Sequence, residues 1–432
     1  MKTINIGIVG LGTVGTGVVK ILNRISKDVQ QKVGAKINIK TIVTLDRSRT
    51  KEVNLKNVKI SKNYNDILND KEIDIIVELI GGYEPARTMI IDALRAGKHV
   101  VTANKAVMAK YWDEIHALSI KKGLLVYFEA SVGGAIPIIQ GINEGLAANK
   151  INAIHGILNG TTNYILTKML EEHTTFEDAL KDAQRLGFAE ADPTMDVKGT
   201  DAVHKLAILA SIASGSSISF KDIYSEGIDN IDVQDVLFAK HEFDLVLKLI
   251  AIMKREKDSF ELRVHPTLIS SDHLLASVKN EFNAVFVDGD ATGKTMFYGK
   301  GAGQLPAASA VTSDIIYVAR HIANDTAGML PLIAYDKEKK VKINSINDIE
   351  SKYYLRFTVV DKPGVIAKIA GVLGKNNVSI ESFVQKANIK TKVPVIMTTH
   401  TANEKNIRKA LSEINRLSFI KAKTVLLRIE EV

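Results

Sequence analysis

The sequence predicts a mixed architecture, α/β over its first part and α+β over the rest, from three observations. Ile4 to Val9 is a short apolar run that leads into Gly10-Leu11-Gly12-Thr13-Val14-Gly15, spaced G-x-G-x-x-G, with Val14, Val18, Val19 and Leu22 following at helical spacing. Behind this strand, turn and helix, β-type runs alternate with helical stretches, the pattern of a parallel sheet covered on both faces. From Tyr353 onward the order becomes strand, helix, strand, strand, helix, strand, two βαβ halves that make a ferredoxin-like unit.

In the first part the β-type runs after the turn are Ile37 to Leu45, Ile73 to Ile80, His99 to Thr102 and Leu124 to Phe128, with helices expected over Ala86 to Ala96 and Lys110 to Lys121. This context makes the glycine turn a dinucleotide site. Gly10 permits the tight turn, Gly12 lets backbone approach a pyrophosphate, and Gly15 allows close helix packing, while the helix N-terminus favours the anion. The acidic residue expected about 20 residues beyond the glycines is replaced by Asp46, after a longer, Lys-rich helix and loop. Asp46 suits a ribose 2′-hydroxyl and NAD; Arg47 and Arg49 suit a 2′-phosphate and NADP. The sequence leaves both open.

From about Ser131 the character changes. The segments LNGTTNYIL (Leu158 to Leu166) and LGFAEADPTMDVKGTDAVHKLAILA (Leu186 to Ala210) precede further runs up to YGKGAGQLPAASAVTSDII (Tyr298 to Ile316), whose helix is expected to pack back on the nucleotide domain. A charged linker, Pro331 to Lys352, leads to the last unit: strand Tyr353 to Val360, helix Gly364 to Lys375, strands Val378 to Gln385 and Val393 to Thr399, helix Glu404 to Ile414, strand Ile420 to Ile429.

Composition bounds the function. At 432 residues the chain exceeds one ordinary core, and 46% hydrophobic with 25% charged residues is a soluble globular balance. The net charge of +8 lies in Lys-rich stretches such as Lys337 to Lys342 without interleaved aromatics, so anions attract it and nucleic-acid binding is not expected. The absence of cysteine excludes disulfides, thiolate zinc sites and a cysteine nucleophile, hence an aldehyde-oxidising mechanism through a covalent thioester. Glycines interrupt the apolar start, no A-x-A cleavage site follows, and no apolar run reaches membrane-spanning length; a cytoplasmic protein is expected, and the Asn159-Gly160-Thr161 sequon then carries no glycan. No segment of kinase length precedes the turn, so no fused kinase is expected.

Asp201 and Lys205 stand four apart and share a helix face, followed by the buried-type stretch LAILASIA. A surface ion pair is one reading. The other is a proton carrier, since burial disfavours an ammonium and moves a lysine toward the range useful for proton transfer. Glu190, Asp192 and Asp196 precede the pair in a loop with Gly and Pro. They suit a cationic substrate group; calcium is the rival, though the EF-hand order is absent and Pro193 interrupts the spacing. In NGTTN, with its helix expected from Thr162, backbone N–H groups at Gly160 and Thr161 suit a carboxylate, against the simpler reading of a capped helix. Together the two segments suit an amino-acid substrate. Lys105 follows the fourth β run at the carboxyl end of the parallel sheet, where ligands bind in open α/β folds. His155 and His204 have no partners at ligand spacing and read as structural.

The motifs GLGTVG, VELIGGYEP, TANKAVMA, FEASVGGAIPII, NGTTNYIL, GFAEADPTMDVKGTDAVHKLAIL and YGKGAGQLPAASAV together resemble the homoserine dehydrogenase family, in order and over about 320 residues, while DKPGVIAKIAGVLGKNNVSIESF resembles an ACT domain. The resemblance implies an NAD(P)-binding domain at 1–135, a catalytic and dimerisation domain at 136–325, a linker at 326–352 and a regulatory ACT domain at 353–432. It implies interconversion of L-homoserine and L-aspartate 4-semialdehyde in threonine, methionine and isoleucine biosynthesis. Lys205 would be the acid/base, Lys105 and Asp201 would sit beside the reacting oxygen, and Glu190, with Asp196, would hold the substrate ammonium. Gly187 and Gly303 would join Gly10 to Gly15, Asp46, Arg47 and Lys105 around the cofactor. A sodium ion would be held by main-chain oxygens of Glu129, Val132, Gly134 and Ile136. Leu45 stands where many members carry an arginine for the NADP phosphate. A homodimer or homotetramer is implied, with an amino-acid effector, threonine foremost, near Pro363 and Gly364. The different reading is a regulator that binds NAD(P) and an amino acid without turnover.

Overall fold

A computed structural model describes residues 2–329, 333–385 and 392–432; Pro331, the expected start of the linker, lies outside them. The chain forms two compact units, and the grouping does not follow the order of the sequence motifs. One unit contains Met1–Ile154, Asp201–Asp222 and Phe282–Val341; the other contains His155–Thr200, Ile223–Glu281 and Lys342–Val432.

In the first unit six parallel strands lie in the order Lys59–Ser61, Lys36–Val43, Thr3–Val9, Ile73–Glu78, His99–Thr102, Val126–Tyr127. The order reverses direction at Thr3–Val9, the switch point where an open sheet leaves a crevice for a ligand. Ile4, Ile6 and Ile8 are wholly buried, and the helix Thr13–Arg24 buries Val18, Val19 and Leu22 against them, three of the four positions that its spacing predicts, with Val14 half-buried. Each such side chain contributes on the order of 1.5–3 kcal/mol by leaving water. The helix Gln304–Ala323 joins this core through Ala308, Val311, Ile315, Val318 and Ala319. At the crossing, a Cβ on Gly17 would stand 2.7 Å from both the Ala308 Cβ and the Gln304 carbonyl, so only glycine lets the two helices approach. The helix after the GAG turn thus packs in the core of the six-stranded parallel sheet, as expected.

Several boundaries move. The second strand stops at Val43, leaving Leu45 and Asp46 in a loop. The helix expected from Lys110 begins at Lys105, because Asn104 caps it: its side chain accepts the Val107 N–H at 3.1 Å. The last β run shortens to Val126–Tyr127.

In the second unit the strands Leu245–Glu256 and Ser259–Ser270 form a long antiparallel pair. Beyond them the sheet continues through Ile420–Ile429, Glu350–Val360, Lys392–Thr399 and Ile380–Gln385, the ferredoxin-like unit, with helices Val365–Lys375 and Glu404–Ile414. The open edge of Ser259–Ser270 is covered piece by piece: Lys342–Ile343 from the linker, then Tyr224–Ser225, then Arg428–Ile429 from the last strand. Part of the expected linker is therefore a paired strand. Among the described residues no helix is long and apolar enough to cross a membrane.

Candidate active site

The glycine turn caps the switch point. Gly10 has φ +102°, and its N–H donates to the Val43 carbonyl at 2.8 Å. A Cβ on Gly15 would lie 2.1 Å from the Gly10 carbonyl oxygen, so the helix can start only with glycine there. The helix N-cap, Gly12, offers no side-chain cap, the first turn, Thr13 to Gly15, holds no acidic residue, and a Cβ at Gly12 would meet nothing within 4 Å. Leu11 is buried beneath this turn. An open, uncapped helix start fits a pyrophosphate. In the loop after the second strand, the Asp46 carboxylate accepts the Ser48 N–H at 2.7 Å and the Ser48 hydroxyl at 2.8 Å, which hold it below the usual carboxylate range. Arg47 precedes the short helix Ser48–Glu52, and Leu45 is 81% exposed. Gly303, at φ +120°, opens the helix that packs on the turn helix.

Lys105, Asp201 and Lys205 come together. Lys105 is the first residue of its helix, at the carboxyl end of the strand His99–Thr102; Asp201 and Lys205 lie on the helix Thr200–Ser214. Lys105 Nζ stands 2.7 Å from Asp201 Oδ1, and Lys205 Nζ stands 2.7 Å from Asp201 Oδ2. The Lys205 side chain is 11% exposed, which rules out the surface ion pair. Burial works against the Asp201 charge, but the two ammonium groups outweigh it and hold this carboxyl well below its ordinary range. The cluster is one anion aligning two cations at a sheet's ligand-binding edge.

In the second unit, NGTTN forms the start of the helix Gly160–Glu171, two residues earlier than expected, with Asn159 accepting the Thr162 N–H at 2.9 Å. Asp196 accepts from Asn159 Nδ2 at 2.7 Å and from the Thr161 hydroxyl at 3.2 Å. NGTTN and the acidic segment are thus one structure. Gly160 lies so close to the Glu281 carbonyl that a Cβ would approach to 2.7 Å. Glu190 is exposed and makes no ion pair among the described residues, whereas Asp192 is spent on Thr194. Gly187, at φ +77°, turns the chain between the helix Phe176–Arg185 and this segment.

The turn expected to hold sodium lies in the first unit. Gly133 and Gly134 have φ of +73° and +58°, and a Cβ on Gly134 would fall 2.4 Å from the Gly301 carbonyl oxygen. The Glu129 carbonyl accepts the Val132 N–H and the Ile136 carbonyl accepts the Ile138 N–H, leaving one lone pair on each. No cluster of three acidic or histidine side chains suited to a metal occurs among the described residues. His155 and His204 are buried, the latter against Phe220.

Sequence reasoning missed four supports. Glu78, wholly buried, accepts the Thr102 hydroxyl at 2.6 Å and the Ile80 N–H at 2.8 Å, and Asn104 Nδ2 donates to the Gly82 carbonyl at 2.7 Å; together they brace the loops beside Lys105. A charge ending an apolar parallel strand was the available signal. Asp314, on the long helix, accepts the Glu129 N–H at 2.8 Å and anchors the turn that begins at Glu129. Lys248 donates to Asn163 Oδ1 at 2.9 Å beneath the NGTTN helix, and burial brings it down to about 7.

A doubly wound sheet with an open, uncapped glycine turn at its switch point is the architecture of a dinucleotide-binding protein. Family models agree and go further: homoserine dehydrogenase, NAD binding domain, matches residues 10–129; homoserine dehydrogenase matches 137–316; ACT domain matches 353–419. A homoserine dehydrogenase of Pseudomonas aeruginosa is 42% identical over 436 residues, and one of Bacillus subtilis 40% over 433, with 100% of this chain and at least 99% of each relative covered. A crystal structure of a homoserine dehydrogenase from Thiobacillus denitrificans superposes with a TM-score of 0.95 at 42% identity, covering 100% of this chain and 99% of that one. The chain belongs to the homoserine dehydrogenase family.

Proposed function

We propose that Lys205 moves the proton in the interconversion of L-homoserine and L-aspartate 4-semialdehyde. The observation that carries this reading is the buried Asp201 carboxylate with a lysine at 2.7 Å on each oxygen. Oxidising the C4 hydroxyl requires a proton to leave oxygen as hydride leaves carbon. A nicotinamide dinucleotide held at the turn Gly10 to Gly15 would supply the hydride acceptor. Lys205, as the neutral amine, takes the proton in this direction and, as the ammonium, returns it to the oxygen in the other; Lys105, on the same carboxylate, steadies negative charge developing on that oxygen. Glu190 and Asp196 receive the substrate ammonium, and the N–H groups of Gly160 and Thr161 its carboxylate.

The remaining assignments belong to this reading. Gly10 to Gly15, Asp46, Arg47, Lys105, Gly187 and Gly303 hold NAD or NADP. Main-chain oxygens of Glu129, Val132, Gly134 and Ile136 hold sodium. The ACT unit takes an amino-acid effector, threonine foremost, beside Gly364, which caps its helix at φ +87°. The working form is a dimer or tetramer. A regulator without turnover would need no lysine pair around one buried carboxylate, and nothing in the geometry favours it.

The test is label transfer. L-Homoserine deuterated at C4 should give deuterium at C4 of the reduced nicotinamide; unlabelled reduced cofactor, or none, would remove the proposed chemistry.

A further inference from the structure

The substrate segment of the second unit rests on a short strand held by charges from the ACT unit. Tyr224–Ser225 pairs in parallel with Arg263–Val264, and the Glu226 N–H donates to the Val264 carbonyl at 2.8 Å. The next residues carry the acidic segment. Ile228 N–H donates to the Val197 carbonyl at 2.8 Å, and Lys198 Nζ stands 2.6 Å from Asp229. At Gly227 a Cβ would fall 2.4 Å from the Val197 carbonyl oxygen, so the two backbones meet without an intervening side chain. Val197 directly follows Asp196, whose oxygens take Asn159 and Thr161.

Two of the side chains that hold Glu226, Arg428 and Arg408, come from the ACT unit. Arg428, from its last strand, is wholly buried and donates to Glu226 through Nη1 at 3.0 Å and Nη2 at 3.2 Å, while its Nε and Nη2 bind Glu404 at 2.9 and 2.6 Å. Arg408, on the helix Glu404–Ile414, donates to the Tyr224 hydroxyl at 2.9 Å, and that hydroxyl donates to Glu226. Arg428 and Tyr224–Ser225 also lie along the same edge of Ser259–Ser270, paired at Thr267 and at Arg263–Val264.

We propose that Glu226 is a positioning residue for the substrate: fixed by Arg428, Tyr224 and Arg408, it sets the Gly227–Ile228 ledge on which Val197 and Asp196 sit. The ACT unit is therefore part of the scaffold of the amino-acid site, before any effector binds. An effector that displaces the last ACT strand or the Glu404 helix acts on homoserine affinity through this contact. The inference rests on the reading that Asp196 belongs to the substrate site.

The experiment compares Glu226→Gln, Arg408→Ala and the double variant with the native full-length protein, without effector. It measures KM for L-homoserine, kcat, the reduced-cofactor Kd by fluorescence, and the thermal midpoint. Expected are a rise in homoserine KM of about 10-fold for Glu226→Gln and a smaller rise for Arg408→Ala. The double variant should be no worse than Glu226→Gln, because Arg408 acts through that residue, with kcat within about threefold and cofactor Kd unchanged. An unchanged KM in folded variants overturns the proposal, as does a loss of kcat at constant KM, the mark of a purely structural defect. If Glu226→Gln fails to fold, Arg408→Ala, whose side chain is 41% exposed, decides alone. Native protein without homoserine turnover would defeat the reading of the site instead, and the two failures are thereby distinct.

Discussion

Asp201 shows how a single carboxylate can organise a site: buried, it stays ionised because two ammonium groups face its two oxygens, and it returns the favour by fixing where both can reach. His99 shows the opposite response to burial. Its Nδ1 accepts the Leu125 N–H at 3.0 Å, and burial, with His321 nearby, lowers its pKa from 6.5 to about 4. The histidine is thus neutral in the fold. Between these values the unfolded chain binds a proton that the folded chain does not, so stability present above pH 6.5 is lost as pH falls toward 4. His99→Asn keeps an acceptor and cannot titrate. Its unfolding free energy relative to native, from urea titrations at pH 7.5 and 4.5, should rise by about 2.5 kcal/mol at the lower pH; equal differences at both would exclude the mechanism.

Among the elements, the glycine turn carries the sharpest steric demand. Gly15→Ala would press a Cβ to 2.1 Å from the Gly10 carbonyl oxygen, so the turn must open. Reduced-cofactor Kd should rise at least about 10-fold while the Lys105–Asp201–Lys205 cluster, on other elements, remains; unaltered affinity would place the phosphates elsewhere. This element was fully legible in the sequence, because strand, turn and helix each have a local period or a local steric requirement. The ferredoxin-like unit was legible for the same reason, its second helix and last strand falling at the expected residues. Lys105 was placed correctly at a sheet edge but not as the first residue of a helix, since Asn104 begins that helix by capping, ahead of its apolar pattern. Asp201 and Lys205 were found by spacing; that Lys105 reaches the same carboxylate across nearly a hundred residues has no local signature.

For the molecule as a whole, sequence order and packing diverge: the Lys205 helix groups with the nucleotide sheet, while NGTTN and the acidic segment group with the ACT unit. Such grouping depends on long-range pairs that no periodicity records. One of them is the buried Glu430, just beyond the last ACT strand, which binds Arg263 at 2.8 Å and also Lys254, with His155 at 3.9 Å. Removing one partner from such a buried pair costs about 3–5 kcal/mol, because the other charge is left uncompensated. Glu430→Gln should therefore lower the urea midpoint of the full-length protein clearly; an unmoved midpoint would mean that the ACT unit is not joined to the strand Ser259–Ser270 by these charges. The central claim, proton transfer by Lys205, is tested most directly by initial rates of NAD+ and NADP+ reduction with L-homoserine for the native protein and Lys205→Ala. The account predicts turnover in the native protein and a loss of about 10²–10⁴-fold in kcat in the variant, with reduced-cofactor affinity retained. A variant that keeps its kcat, or a native protein that binds cofactor and turns over with neither, would contradict it.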